Sequence, residues 1–211
     1  MLVVRNFSLQ AGDRQLIDDL SFEVNEGDIL TIMGASGIGK SSLLSYISGT
    51  TPPALKANGT LLLNDIELVS KPPHKRDVGL MQQSPLLFPH MTIAENLLFA
   101  VPSHYSTKSR KQKVMDAIND LELQGHEEAL PNTLSGGQQA RAALLRTLLS
   151  EPKCLLIDEP FSKLDATLRA TTRTFVKEKV KHAGIPAILV THDPEDAESM
   201  GGAIIHLSHP G

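Results

Sequence analysis

Gly34-Ala35-Ser36-Gly37-Ile38-Gly39-Lys40-Ser41 stands between an apolar run at residues 28–33 and a stretch of helical character at residues 41–48. Strand, glycine-rich turn and helix, in that order, are what a phosphate-binding loop requires. The glycines permit backbone conformations closed to other residues, so successive N–H groups can converge on phosphate oxygens. The helix that follows points its positive end at the same place. Lys40 supplies a point charge for the β- and γ-phosphates, and the Ser41 hydroxyl, with Ser42 beside it, is placed to complete a Mg²⁺ shell. These nine positions, Gly34 to Ser42, are the predicted nucleotide contacts.

Working outward, Leu155-Leu156-Ile157-Asp158-Glu159 is an apolar run that ends in two acids. In a doubly wound sheet ligands gather at the carboxyl ends of the strands, so Asp158 and Glu159 are expected to face the phosphates. One acid there can hold Mg²⁺ through its water shell, and the next can take a proton from attacking water. The third feature is Leu134-Ser135-Gly136-Gly137-Gln138, which opens a helix running to about Ser150. Ser135 is placed to cap that helix and the two glycines expose backbone N–H groups, which makes a second anion cradle.

Between these motifs the texture alternates. Residues 2–9 and 20–24 read as strands around a Gly12-Asp13 turn, and residues 60–63 and 66–68 as a hairpin closed by Asn64-Asp65. Residues 107–123 carry Val114, Ala117, Ile118 and Leu121 at helical spacing. Apolar strands are expected at residues 153–157, 187–190 and 203–207, with a helix at 166–182 between the first two, ended by Gly184 and Pro186. Strands alternating with helices predict a parallel-sheet α/β core, with the polar helical stretch between Gln83 and Leu134 inserted into it.

The whole chain has 211 residues, 41% of them hydrophobic and 21% charged, which fits one domain with a sizeable core. A net charge of −4 argues against a general nucleic-acid binder. No uncharged apolar run approaches the ~20 residues that span a bilayer, and the N-terminus has no signal-peptide pattern. The single Cys154 suits a reducing compartment and reads as a small core residue. His74, His90, His104, His126, His182, His206 and His209 show no metal-ligand spacing and read as surface or core positions. Lys108, Arg110, Lys111 and Lys113 read as a solvated helix face.

The ordered set of phosphate loop, Leu134–Gln138 and Ile157-Asp158-Glu159 resembles the ATP-binding-cassette ATPases, and the likeness extends over essentially the whole chain. Gln83 matches the family's Q-loop glutamine, Ser162-Lys163-Leu164-Asp165 its D-loop, and Thr191-His192-Asp193 its switch histidine. The set looks most like importer subunits, near the thiamine importer ATPases. The resemblance implies an α/β P-loop NTPase with a RecA-like parallel core, an N-terminal antiparallel β subdomain and an inserted helical subdomain. The implied division is residues 1–83 and 139–211 for the core with its β subdomain, and residues 84–138 for the helical subdomain carrying the signature.

The resemblance also implies ATP and Mg²⁺ as ligands and a head-to-tail homodimer, in which Ser135, Gly136, Gly137 and Gln138 of one chain meet the γ-phosphate bound to Lys40 of the other. Glu159 would be the general base, His192 would hold the γ-phosphate, and Gln83, with Ser41 and Asp158, would touch the metal. Asp165 would communicate between the two sites. The implied partners are a transmembrane permease, received near residues 83–91, and a solute-binding protein of the same system. The implied location is the cytoplasm, peripheral on the inner membrane, with no nucleic acid bound. Leu86, Leu87 and Phe88, set between Pro85 and Pro89, and Met91 just beyond them suit such a docking surface.

Three departures stand out. Ala11 occupies the position where the family stacks an aromatic on adenine, although Arg14 could cover the base, so modest ATP affinity and weak discrimination against GTP are expected. Lys163 replaces the small residue common in the D-loop. With the sequence closing at Gly211, soon after the last expected strand, regulation by an appended domain is not expected. Competing readings are an exporter subunit, a soluble cassette ATPase of DNA repair or translation, and a small-molecule kinase. The kinase does not explain Leu134–Gln138, and the compact insert does not fit the long coiled coil of repair proteins.

Overall fold

The structure is a computed structural model and describes residues 1–208. It begins with β1 (Leu2–Ala11) and β2 (Arg14–Val24), an antiparallel pair in register from Leu2↔Val24 to Ala11↔Arg14. β2 starts at Arg14, well before the Leu20 expected from the sequence. The reason is local: Asn6 (φ 50°) and Asp19 (φ 49°) adopt left-handed backbone, joined by a 2.7 Å bond from Asn6 Nδ2 to Asp19 Oδ1. The resulting shifts of register break the alternation by which a strand is recognised.

β3 (Ile29–Gly34) leads through the glycine-rich turn into α1 (Lys40–Ser48). β4 (Leu55–Leu63) and β5 (Ile66–Glu67) follow, joined at Asn64 (φ 50°) and Asp65 (φ 61°). Two successive left-handed residues are what a tight hairpin turn demands. After β6 (Val78–Met81) come α2 (Ile93–Ala100), α3 (Thr107–Asp120) and α4 (Gly136–Leu149). α3 stops three residues short of the Leu123 expected, because Glu122 turns into left-handed backbone (φ 53°) while Leu121 and Leu123 stay buried. α4 runs through Gln138 without a break, so the expected boundary between residues 138 and 139 falls inside a helix.

The chain continues with β7 (Cys154–Asp158), α5 (Ala166–Ala183), β8 (Ala187–Val190), α6 (Pro194–Met200) and β9 (Ile204–Leu207). The strands form a four-stranded sheet ordered β2-β1-β4-β5 and a five-stranded parallel sheet ordered β6-β7-β8-β3-β9. β7 and β8 are buried throughout, as strands covered on both faces must be. Successive side chains divide between two cores: Leu155, Ile157 and Leu189 pack with α2 to α5, while Leu156, Ile188 and Val190 pack with α1 and the antiparallel sheet. The parallel sheet is thus the middle layer, and its strand ends carry the chemistry. Among the described residues, no helix is long and apolar enough to cross a membrane.

Candidate nucleotide-binding site

α1 begins without a side-chain cap. Its N-cap is Gly39 in left-handed backbone (φ 106°), and its first turn holds no acid. α2, α4 and α5, by contrast, are capped by Thr92, Ser135 and Asp165. An uncapped helix start leaves N–H donors open to an anion. A larger residue at Gly39 would be strained at this φ, and its Cβ would lie 2.9 Å from Leu9 Cδ2 and 3.2 Å from Ile17 Cδ1. The antiparallel sheet therefore packs directly behind the loop and sets its shape. Lys40 is buried and its Nζ donates to the carbonyl oxygens of Gly34 (2.7 Å) and Ala35 (2.9 Å), so the ammonium bridges the loop that it closes.

The strand register delivers the remaining groups. β6 and β7 pair Met81 with Ile157, so two residues further on Gln83 falls opposite Glu159. β7 and β8 pair Asp158 with Val190, so His192 lies just past the same edge. Glu159 is held between both neighbours: Gln83 Nε2 donates to its Oε2 at 3.0 Å, and His192 Nδ1 lies 2.8 Å from its Oε1. Glu159 also has left-handed backbone (φ 47°), the kind of local strain that collects at functional sites. Its side chain is only 16% exposed, whereas that of His192 is 64% exposed.

Asp158 is 8% exposed. Burial raises its carboxyl pKa above the ordinary value, and the nearby Glu159 adds to that, against a hydrogen bond from Ser41 and the charge of Lys40. A buried carboxylate sharing a bond with a hydroxyl is a hard-oxygen pair that would suit Mg²⁺.

These residues enclose a cleft of about 700 Å³, lined by Gly34, Ala35, Ser36, Gly37, Gly39, Lys40, Ser41, Ser42, Gln83, Asp158, Glu159 and His192, with Leu16. Nothing in the sequence marks Leu16. It enters because β2 passes the cleft mouth, whereas Ala11 ends β1 beside the Gly12-Asp13 turn. Ile38, expected among the contacts, has its side chain buried in the protein, so only its backbone is free to face the cleft.

The signature stands elsewhere. Ser135, Gly136, Gly137 and Gln138 do not line this cleft, nor does Asp165. Ser135 and Gln138 form a reciprocal cap on α4, and Asp165 accepts from Leu168 N at 3.0 Å to cap α5. The D-loop lies against the start of α4: a Cβ on Gly137 would come within 3.3 Å of Lys163 O, and one on Gly136 within 3.5 Å of Lys163 Cδ. The stem of Lys163 thus covers Gly136.

The sequence does not announce how His192 is held. Its loop is anchored by α6, where Arg169 meets Asp193 (2.9 Å) and Arg173 Nε donates to Asp196 Oδ1 (2.8 Å). His126, read from the sequence as ordinary, lies 2.8 Å from Gln138 Nε2, and His209 lies outside the described residues.

This arrangement has known counterparts. The family model described as "ABC transporter" matches residues 17–162. The uncharacterised ABC transporter ATP-binding protein YnjD of Escherichia coli (strain K12) is 42% identical over 196 residues, covering 93% of this chain and 90% of that protein. The spermidine/putrescine import ATP-binding protein PotA of Legionella pneumophila (strain Lens) is 36% identical over 210 residues, covering 99% of this chain and 57% of that protein. The chain therefore spans little more than half the length of PotA but most of YnjD. The dimeric post-hydrolysis structure of the ATP-binding cassette MJ0796, bound to ADP and Pi, superposes with a TM-score of 0.86 at 27% identity, covering 98% of this chain and 94% of that one. With a phosphate loop, an acid pair and a signature helix in this geometry, and with relatives of this kind, the chain belongs to the ABC transporter family, among its ATPases.

Proposed function

We propose that this chain is the ATP-hydrolysing subunit of an import system and works as a dimer that closes around ATP. The observation that carries the reading is the division of the anion-binding groups. One protomer gathers Lys40, Asp158, Glu159, Gln83 and His192 around a single cleft, while its second cradle, Ser135 to Gln138, is not part of that cleft's lining. A head-to-tail pair brings each cradle to the partner's cleft. The dimeric form of MJ0796 supports that arrangement.

In this reading the loop N–H groups and Lys40 bind the triphosphate tail, exchanging the Gly34 and Ala35 carbonyls for phosphate oxygens. Glu159, freed from Gln83 and His192, accepts a proton from the attacking water, and His192 donates to the γ-phosphate. Ser41 and Asp158, with Gln83, would hold Mg²⁺, which when bound neutralises charge on the phosphate oxygens. The apolar segment at residues 84–91 receives a permease on the cytoplasmic face of the membrane, and a solute-binding protein delivers the cargo. Beside this stands a finer placement near the thiamine importer ATPases, supported by the motif set and open to an uptake assay with thiamine.

Activity measurements on the purified chain test the assignment. Lys40→Ala abolishes ATP binding. Glu159→Gln keeps ATP binding and lowers turnover by about 10²- to 10⁴-fold, the usual worth of a positioned base. Wild-type turnover by Glu159→Gln would remove Glu159 from that role.

A further inference from the structure

The cap on α4 is braced by a residue outside the signature. Ser135 N donates to Gln138 Oε1 at 2.9 Å, and Gln138 N donates to Ser135 Oγ at 3.3 Å. A backbone N–H can only donate, so the Gln138 amide oxygen is committed to Ser135 and its Nε2 faces the other way. There it lies 2.8 Å from Nε2 of His126. A side-chain amide nitrogen donates and does not accept, so the imidazole nitrogen must be the acceptor.

We propose that His126 is a positioning residue for the phosphate-facing half-site. Its ring nitrogen holds the Gln138 amide in the one orientation that caps Ser135, and so presents Ser135 and the first N–H groups of α4 to the partner's nucleotide. The inference rests on the composite-site reading given above. Gln138 has three rotatable torsions and is only partly buried; without an acceptor at Nε2, nothing else within hydrogen-bond reach fixes its far end among the described residues.

His126 is itself well placed to act as a fixed point. His126 N donates to Leu123 O at 3.1 Å, and Ala129 N donates to His126 O at 3.1 Å. From α4, Arg141 Nη1 donates to Leu121 O and, at 3.2 Å, to Glu122 O, so the turn carrying His126 is clamped to the helix whose start it orients. The same turn accepts from the first N–H groups of α2, with Ile93 N on Ala129 O (3.0 Å) and Ala94 N on Glu127 O (2.9 Å). One rigid turn thus fixes the beginnings of two helices, and the His126–Gln138 bond is its link to the signature.

Two substitutions separate positioning from packing. His126→Leu keeps apolar bulk and removes the acceptor; His126→Gln returns an acceptor of similar reach. Each is made in the otherwise native chain and in the Glu159→Gln background. Binding of ATP to the dilute monomer, ATP-driven dimerisation and the ATP dependence of hydrolysis are measured, with thermal melting as a control for folding. His126→Leu is expected to leave monomer ATP affinity unchanged and to raise the protein concentration for half-dimerisation and the KM by about tenfold, the worth of one hydrogen bond, with kcat at saturation retained. His126→Gln is expected to restore both.

Dimerisation by His126→Leu at the parent's concentration would overturn the inference while leaving the composite site standing. Equal impairment of the Leu and Gln variants would also overturn it, as would a loss confined to the melting transition. Failure of the Glu159→Gln parent to dimerise with ATP would sink the composite-site reading, and this inference with it.

Discussion

At Asp158 the demands of ligand binding and of folding oppose each other. Its carboxyl is buried, and burial raises its pKa above the unfolded value despite Ser41 and Lys40. A carboxylate whose folded pKa is raised lowers stability as pH climbs through that window, because the native state then loses a proton it holds more tightly than the unfolded chain does. At neutral pH and without nucleotide, Asp158 is therefore a charge that the fold bears at a cost. Asp158→Asn should raise the melting temperature of the nucleotide-free chain at pH 7 while abolishing ATP hydrolysis. The gain should vanish as pH is lowered through the ordinary carboxylate range, where Asp158 is protonated and resembles the amide. A lower melting temperature for Asp158→Asn at pH 7 would show that Ser41 and Lys40 outweigh burial.

At the scale of the element, the segment between β6 and α2 owes its shape to one side chain. Asn96 is buried on α2; its Nδ2 donates to the carbonyl oxygens of Phe88 (3.1 Å), Met91 (3.1 Å) and Thr92 (3.0 Å), and its Oδ1 accepts from Phe88 N (2.8 Å). Phe88 is a packing anchor as well as a surface residue, edge-on to Phe99 at 5.0 Å and under Arg146 of α4 at 5.3 Å. Leu86, 58% exposed, reaches solvent without that load and is the cleaner probe of docking. Leu86→Ala should leave the ATPase activity and melting of the isolated chain unchanged and reduce uptake several-fold in a complex reconstituted with its permease. Unchanged uptake would remove this segment as the docking surface.

The same scale shows what the sequence disclosed. The buried strands and the loop around Lys40 were legible because unbroken apolar runs and a glycine spacing are local signals. The first half of β2 was hidden by the Asn6–Asp19 irregularity, and α6 by its brevity and its dependence on Arg169 and Arg173 of α5. Leu16 and His126 could not be found by pattern at all, since their places depend on chain crossings distant in sequence. The cleft mouth is similar, since only the fold puts Leu16 at its wall.

In the dimer proposed above, the whole molecule is half of a site. The helix starts of α1 and α4 belong to one chain, yet only the first lies on the cleft that holds Asp158 and Glu159. The D-loop and signature pack on each other through Lys163 and Leu164 against Gly136 and Gly137. In that proposed dimer ATP would favour the closed pair by contacts that ADP cannot make, since only ATP carries the γ-phosphate. Sedimentation of Glu159→Gln with ATP and with ADP tests this most directly. The prediction is a dimer with ATP, which a Ser135→Phe substitution abolishes without loss of ATP binding, and a monomer with ADP. A strictly monomeric ATP-loaded Glu159→Gln at high protein concentration would contradict the account.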